Sequence, residues 1–147
     1  MSVPATVRHL CRVCQTRLML RLDLATLVVA DYDEAIAFFV HVIGFTLEAD
    51  DDLGGGKRWV VVRPDPTGPG LLLARAVGEP QTEVIGHQTA GRVSFFLHTD
   101  DLEQKVADWR ARGVRFVERP RTEPYGKVVV FLDLYGNRWD LIEPRKP

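Results

Sequence analysis

Two β-rich runs carry side chains that could do chemistry. Ser94 and His98 lie on the run from Arg92 to Thr99, and Arg138 and Asp140 on the run from Arg138 to Ile142. Strand side chains alternate, so Ser94, Phe96 and His98 share one face. A Ser–His nucleophile pair needs hydrogen-bond contact, yet four residues of strand hold these two about 13 Å apart. That pair is excluded. His98 is left as a hydrogen-bonding group in a pocket or as a solvated histidine at a strand end. An inward Asp140 would be a buried carboxylate, costly enough to raise its pKa or demand a donor. Arg138, on the same face, could supply one. Asp140 is then either one half of an ion pair at the sheet edge or a polar anchor or acid/base group for a ligand. Asp140 and His98 are the best catalytic candidates.

Two further clusters carry less. Cys11 and Cys14, with His9 before them, supply too few ligands for a structural zinc site, which usually needs four. They are read as a thiol pair without function in preference to a zinc or redox site. Gly54-Gly55-Gly56-Lys57 lacks the spacing and the following Ser/Thr of a phosphate loop and opens a strand, so it reads as a hairpin turn.

The 147 residues suffice for one sizeable core. Nineteen Lys and Arg against twenty Asp and Glu give a net charge of -1, which makes nucleic acid an improbable partner. No apolar run approaches the roughly 18 residues that cross a bilayer, so a soluble, cytoplasmic protein is expected. Residues 1–18 are basic and aperiodic. They read as a transit-like or vestigial extension, or as the product of a rarely used upstream start.

The elements that must position these residues come from an internal repeat at an offset of 70 residues. Asp31 and Asp101 are each followed three residues later by Glu34 or Gln104, the signature of a helix start in which the later side chain reaches back. Apolar stripes follow, Ile36, Phe39 and Val40 in one copy and Leu102, Val106 and Trp109 in the other. Gly44 and Gly113 end the helices, with one extra residue in the first copy. Gly56-Lys57 matches Gly126-Lys127. The order is βαβββ twice: a first module over 20–76, a linker over 77–91 and a second module over 92–145. Each sheet then packs one face on its helix, and pairing the modules would shape a shared concave surface that holds the pocket.

With these residues in place, LDLATLVVADYDEAIAFFVHVIGF, GRVSFFLHTDDLEQKVADWRARGVRFVERP and VVVFLDLYGNRWDLIEP resemble the vicinal oxygen chelate superfamily, which includes glyoxalase I, bleomycin-resistance proteins and extradiol dioxygenases. The resemblance covers residues 20–145. It implies an α+β fold of two βαβββ modules that form a concave mixed sheet with helices on the convex face. The metal ligands of such proteins carry over to Leu24, Ser94, Leu72 or Ala74, and Asp140, of which only Asp140 binds a cation well. No metal or other cofactor is therefore expected.

The resemblance implies a binding or sequestering protein for a small organic molecule. The alternative is a lyase, isomerase or dioxygenase that uses acid/base residues or atypical ligands. The expected pocket has walls of Leu24, Leu72, Ala74 and Phe96, anchors at Ser94, His98 and Asp140, and Arg58, Trp59 and Tyr125 at its rim beside the Gly-Lys turns. Gln88 resembles a recurring polar residue of this branch. A homodimer is expected, because each module leaves sheet edges exposed and similar proteins pair about a twofold axis.

Overall fold

The computed structural model describes residues 19–147; Cys11, Cys14 and the rest of the 1–18 extension lie outside the described residues. The first module runs β1 (Leu24–Val29), α1 (Tyr32–Ile36), β2 (Thr46–Gly54), β3 (Lys57–Arg63) and β4 (Gly70–Arg75). The second runs β5 (Val93–His98), α2 (Leu102–Ala111), β6 (Arg115–Phe116), β7 (Arg121–Glu123), β8 (Gly126–Leu132) and β9 (Arg138–Pro144). Both are βαβββ units, with β2 of the first corresponding to a strand broken into β6 and β7 in the second. Val117 to Pro120 fills that break, and Pro120 has no N–H to give a ladder.

Each helix begins where its aspartate stands. Asp31 accepts from the Glu34 N–H at 2.9 Å and Asp101 from the Gln104 N–H at 3.0 Å. The expected return bond forms in neither. The Asp31 N–H donates instead to the Tyr135 hydroxyl and the Asp101 N–H to Thr99 Oγ1, each at 3.3 Å, so better-placed acceptors replace the glutamate and glutamine.

The extra residue of the first copy has a visible destination. After Ile36 the helix widens into a π-helical segment, Ala37–Val42, in which the Ile43 N–H donates to the Phe38 carbonyl at 3.1 Å. A π turn is an α-turn with one residue added, which lets both helices stop at glycines with matching positive φ, 90° at Gly44 and 88° at Gly113. Tyr32, Ala35, Phe39 and Ile43 form the buried stripe, and Ile36 sits on its flank, half-buried.

The strands form two sheets, ordered β1-β4-β3-β2 and β5-β9-β8-β6 with β7 on β8, and β1 and β5 run parallel to β4 and β9. Among the described residues no ladder joins the modules. The α+β fold of two βαβββ modules is present as two mixed sheets, each with its helix on one side. The helix-bearing faces converge on one apolar cluster: Phe39 and Phe45 of the first module stand 5.8 and 6.1 Å, ring to ring, from Trp139 of the second. Inward residues alternate as strand geometry requires, Leu27 and Val29, Val60 and Val62, Val129 and Phe131, Trp139 and Leu141. Their neighbours face outward.

That alternation corrects one detail of the repeat. Val60 and Val62 of β3 face the core, as do Val129 and Phe131 of β8, so these strands correspond one residue short of the 70-residue offset. Gly56-Lys57 and Gly126-Lys127 match in letters only. A one-residue slip exchanges the two faces of a strand, so the alignment of letters would have turned β8 inside out.

Candidate functional site

The outward face of the first sheet opens into a cavity of about 540 Å³ at the end where β3 begins and β4 finishes. Thr26, Trp59, Leu72 and Ala74 give it an apolar floor; Leu53 and Gly55 of the β2–β3 hairpin and Val77 and Gln81 of the linker stand around it, with Tyr32, Lys57, Arg58 and Arg75 at its polar end. Trp59 is 41% exposed, an open aromatic plane. Of the residues expected from sequence, the structure brings Arg58, Trp59, Leu72 and Ala74 together here. Arg58 shares the parity of Val60 and leans to the helix side, where it donates to Asp33 at 2.8 Å and to both oxygens of Asp50 at 2.9 and 2.7 Å. Its N–H donates to the Tyr32 hydroxyl at 3.1 Å. The hydrogen bond from Arg58 holds the Asp50 carboxyl below its ordinary pKa.

Arg75, Thr26 and Tyr32 were not among the sequence candidates. Thr26 was within reach, since it shares the parity of Leu24. Arg75 carried no signal beyond ending a Leu-Leu-Leu-Ala run. Arg75 shares the parity of Leu71 and Leu73 and, like Arg58, leans to the helix side at the cavity's polar end, where its guanidinium lies over the Tyr32 ring, 5.5 Å from the centroid; no carboxylate of the described residues pairs with it.

The second outward face is built differently. Register aligns Thr26, Leu72 and Val61 across the first sheet and Phe96, Asp140 and Val130 across the second, which makes Leu72, and not Ala74, the counterpart of Asp140. Asp140 is 7% exposed and its Oδ1 has no hydrogen-bond partner. Burial pushes its carboxyl above the ordinary value, nearby Arg121 pulls it back, and Glu118 pushes it up again. The expected Arg138–Asp140 ion pair does not form, because the exposed Arg138 side chain stands at the rim of a shallow depression it shares with Arg92, Phe96 and Asp140. Arg121 is occupied by Glu118 and Glu123.

The remaining candidates scatter. His98 borders a separate crevice beside Asp65, Asp100 and Lys105. Ser94 falls at a ladder irregularity between Val93 and Phe95 and its hydroxyl lies 2.7 Å from that of Thr89. Leu24 sits opposite Gly70, away from the cavity, and Tyr125 occupies the exposed β7–β8 turn. Gln88 is committed to the edge of β1: its Oε1 accepts from the Val28 N–H at 2.8 Å and its Nε2 donates to the Thr26 carbonyl at 2.7 Å. The amide pairs an otherwise open strand edge.

The positions to which the family resemblance carries the metal ligands, Leu24, Ser94, Leu72 and Asp140, offer one carboxylate, and this donor set does not fit a divalent transition metal. Among the described residues no three His, Cys, Asp or Glu side chains converge as a cation site. None of the helices among them is long and apolar enough to cross a membrane.

Known proteins resemble this arrangement. A protein of Shewanella frigidimarina is 47% identical over 123 residues, covering 80% of this chain and 88% of its own. The crystal structure of UcmS2 superposes with a TM-score of 0.74 at 27% identity, over 86% of this chain and 99% of that one. TnmS3, an antibiotic binding protein from Streptomyces sp. CB03234, superposes with a TM-score of 0.71 at 29% identity, over 87% and 98%. The model of the Glyoxalase/Bleomycin resistance protein/Dioxygenase superfamily matches residues 21–141, nearly all of the folded chain, and the chain belongs to that superfamily.

Proposed function

We propose that this protein binds a small, partly apolar organic molecule in the cavity of its first module and does so without the divalent metal used by many members of the superfamily. The observation that carries this reading is the cavity itself. Its volume of about 540 Å³ falls within the range of small-molecule sites, and its walls mix aliphatic and aromatic surface with a few polar groups. The antibiotic-binding activity named for TnmS3 supports a binding role. The mismatch of donors at Leu24, Ser94, Leu72 and Asp140 supports the absence of metal chemistry. The test is elemental analysis of protein purified without chelator, together with native mass spectrometry after incubation with a mixed panel of small aromatic compounds. Substoichiometric zinc, iron, manganese and nickel with retained adducts is expected. Stoichiometric metal lost in Asp140→Ala contradicts the reading.

A second reading, acid/base catalysis without metal, rests on the raised pKa of Asp140. Turnover of a bound compound that disappears in Asp140→Asn distinguishes it from sequestration. We also propose a homodimer. Phe96, 63% exposed on the second outward face, is the kind of aromatic surface that a partner covers. Sedimentation at micromolar concentration should give about twice the chain mass of 16.6 kDa, and a stable monomer refutes pairing.

A further inference from the structure

We infer that the first module's cavity selects organic anions, with an aromatic or polycyclic body against Trp59 and Leu72 and an acidic group received by Arg75. This rests on the small-molecule reading above and names its ligand class. The cavity wall contains three cations, Lys57, Arg58 and Arg75, and no carboxylate. Arg58 is spent, since Asp33 and Asp50 both hold it. Arg75 is not.

The Arg75 guanidinium is positioned all the same. It rests 5.5 Å from the centre of the Tyr32 ring and passes over Gly56, where an added Cβ would come within 3.0 Å of its Nη2 and where φ is +79°. A side chain at position 56 would crowd the guanidinium and strain the backbone. An exposed cation that rests against an aromatic plane and has no hydrogen-bond partner among the described residues keeps its forked N–H donors for a carboxylate or sulfonate, which such a fork binds in two parallel hydrogen bonds. Besides Asp33 and Asp50, which Arg58 takes up, two acidic side chains lie near the cavity. Asp51 stands across the ladder from Trp59, and Asp52 accepts from the Gly54 N–H at 2.8 Å; neither lines the cavity.

The experiment uses two dyes that share a ring skeleton and differ in charge, 8-anilinonaphthalene-1-sulfonate and neutral N-phenyl-1-naphthylamine. Each is titrated against the full chain and against Arg75→Gln, and quenching of Trp59 emission, identified by its loss in Trp59→Phe, reports occupancy of this cavity. The sulfonate should bind at least about tenfold tighter than the neutral dye, and Arg75→Gln should weaken it about tenfold while moving the neutral dye less than about twofold. Equal binding of the two dyes, or an equal response of both to Arg75→Gln, overturns the anion preference and leaves the small-molecule pocket standing. If neither dye quenches Trp59, both the preference and the pocket fall.

Discussion

Across the outward face of the first sheet runs a row of Thr26, Leu72 and Val61, and it opens into a cavity with an unpaired arginine at one end. The same row in the second sheet is Phe96, Asp140 and Val130, bordered by a segment whose Glu118 accepts from the Val130 N–H at 3.1 Å and whose Arg121 is held by two glutamates. The helix-facing rows are both apolar, valine and leucine in one, valine, leucine, phenylalanine and tryptophan in the other. A duplicated unit whose inner faces meet in one core is constrained there by close packing. Its outer faces are free to diverge in charge and shape. One became a cavity with cations; the other became a shallower depression in which Arg92, Arg138 and an exposed Phe96 surround a buried carboxylate.

The largest effect that can break this comparison lies where the modules meet. Phe39 is fully buried and touches aromatic rings of both modules, so Phe39→Ala should cost about 3–5 kcal/mol and lower the stability of both halves in a single urea transition. Two separated transitions, with the second module untouched, would mean that the core is not shared.

Next in size is Asp133, a feature of the second module. Its carboxylate accepts from the Tyr135 and Asn137 N–H groups, the Asn137 amide and the Trp139 indole, all at 3.0 Å. Asp133→Ala leaves the buried indole and amide without an acceptor and should cost about 2–4 kcal/mol, read by chemical denaturation. A loss under about 1 kcal/mol would mean that the turn before β9 does not depend on it.

The caps sharpen the comparison through their likeness. Asp31→Ala and Asp101→Ala each remove one N-terminal acceptor, and each should cost about 1 kcal/mol. A marked inequality in thermal denaturation would show that the π-helical segment has changed the energetics of the first helix.

The smallest effect concerns pH. The carboxyl of Asp140 titrates above its ordinary value in the folded state, so between the unfolded and folded pKa values the native form binds more protons, and this group's contribution falls as pH rises through that window. Asp140→Asn should therefore flatten the decline, and its stability relative to the parent should be greater at pH 7 than at pH 3. The opposite slope would mean that the carboxylate has a donor after all.

What the sequence displayed was local. The aspartate caps, the stopping glycines and the burial of Phe39, Leu102, Val106 and Trp109 follow from spacings of three and four residues, and the structure has them, whereas Ile36 and Val40 are only half-buried beside the stripe of Tyr32, Ala35, Phe39 and Ile43. The extra residue before Gly44 was also visible, though not that a π turn would absorb it. The illegible parts depend on long separations or on parity. Gln88 finds the edge of β1 sixty residues away, and no local pattern announces that. The repeated Gly-Lys pair misled by one residue, because turns resemble each other in composition while register decides which side chains face the core. Asp140 and Arg138 share a face yet do not pair, because the Arg138 side chain stands exposed at the rim while Asp140 is buried. Arg75 reaches the cavity because Tyr32 and Gly56 give its guanidinium a place, a relation among three elements.

The central claim is that ligand binding belongs to the first module's outward face and not to the second's. Titration of 15N-labelled protein with 8-anilinonaphthalene-1-sulfonate tests it most directly, because the three tryptophan indoles report from different places: Trp59 in the cavity, Trp109 on α2 and Trp139 in the shared core. The account predicts saturable shifts at the Trp59 indole and at the amides of Thr26, Leu72, Ala74 and Arg75, with Phe96, Arg138 and Asp140 still. Shifts concentrated at Phe96, Arg138 and Asp140, with the Trp59 indole unmoved, would contradict it.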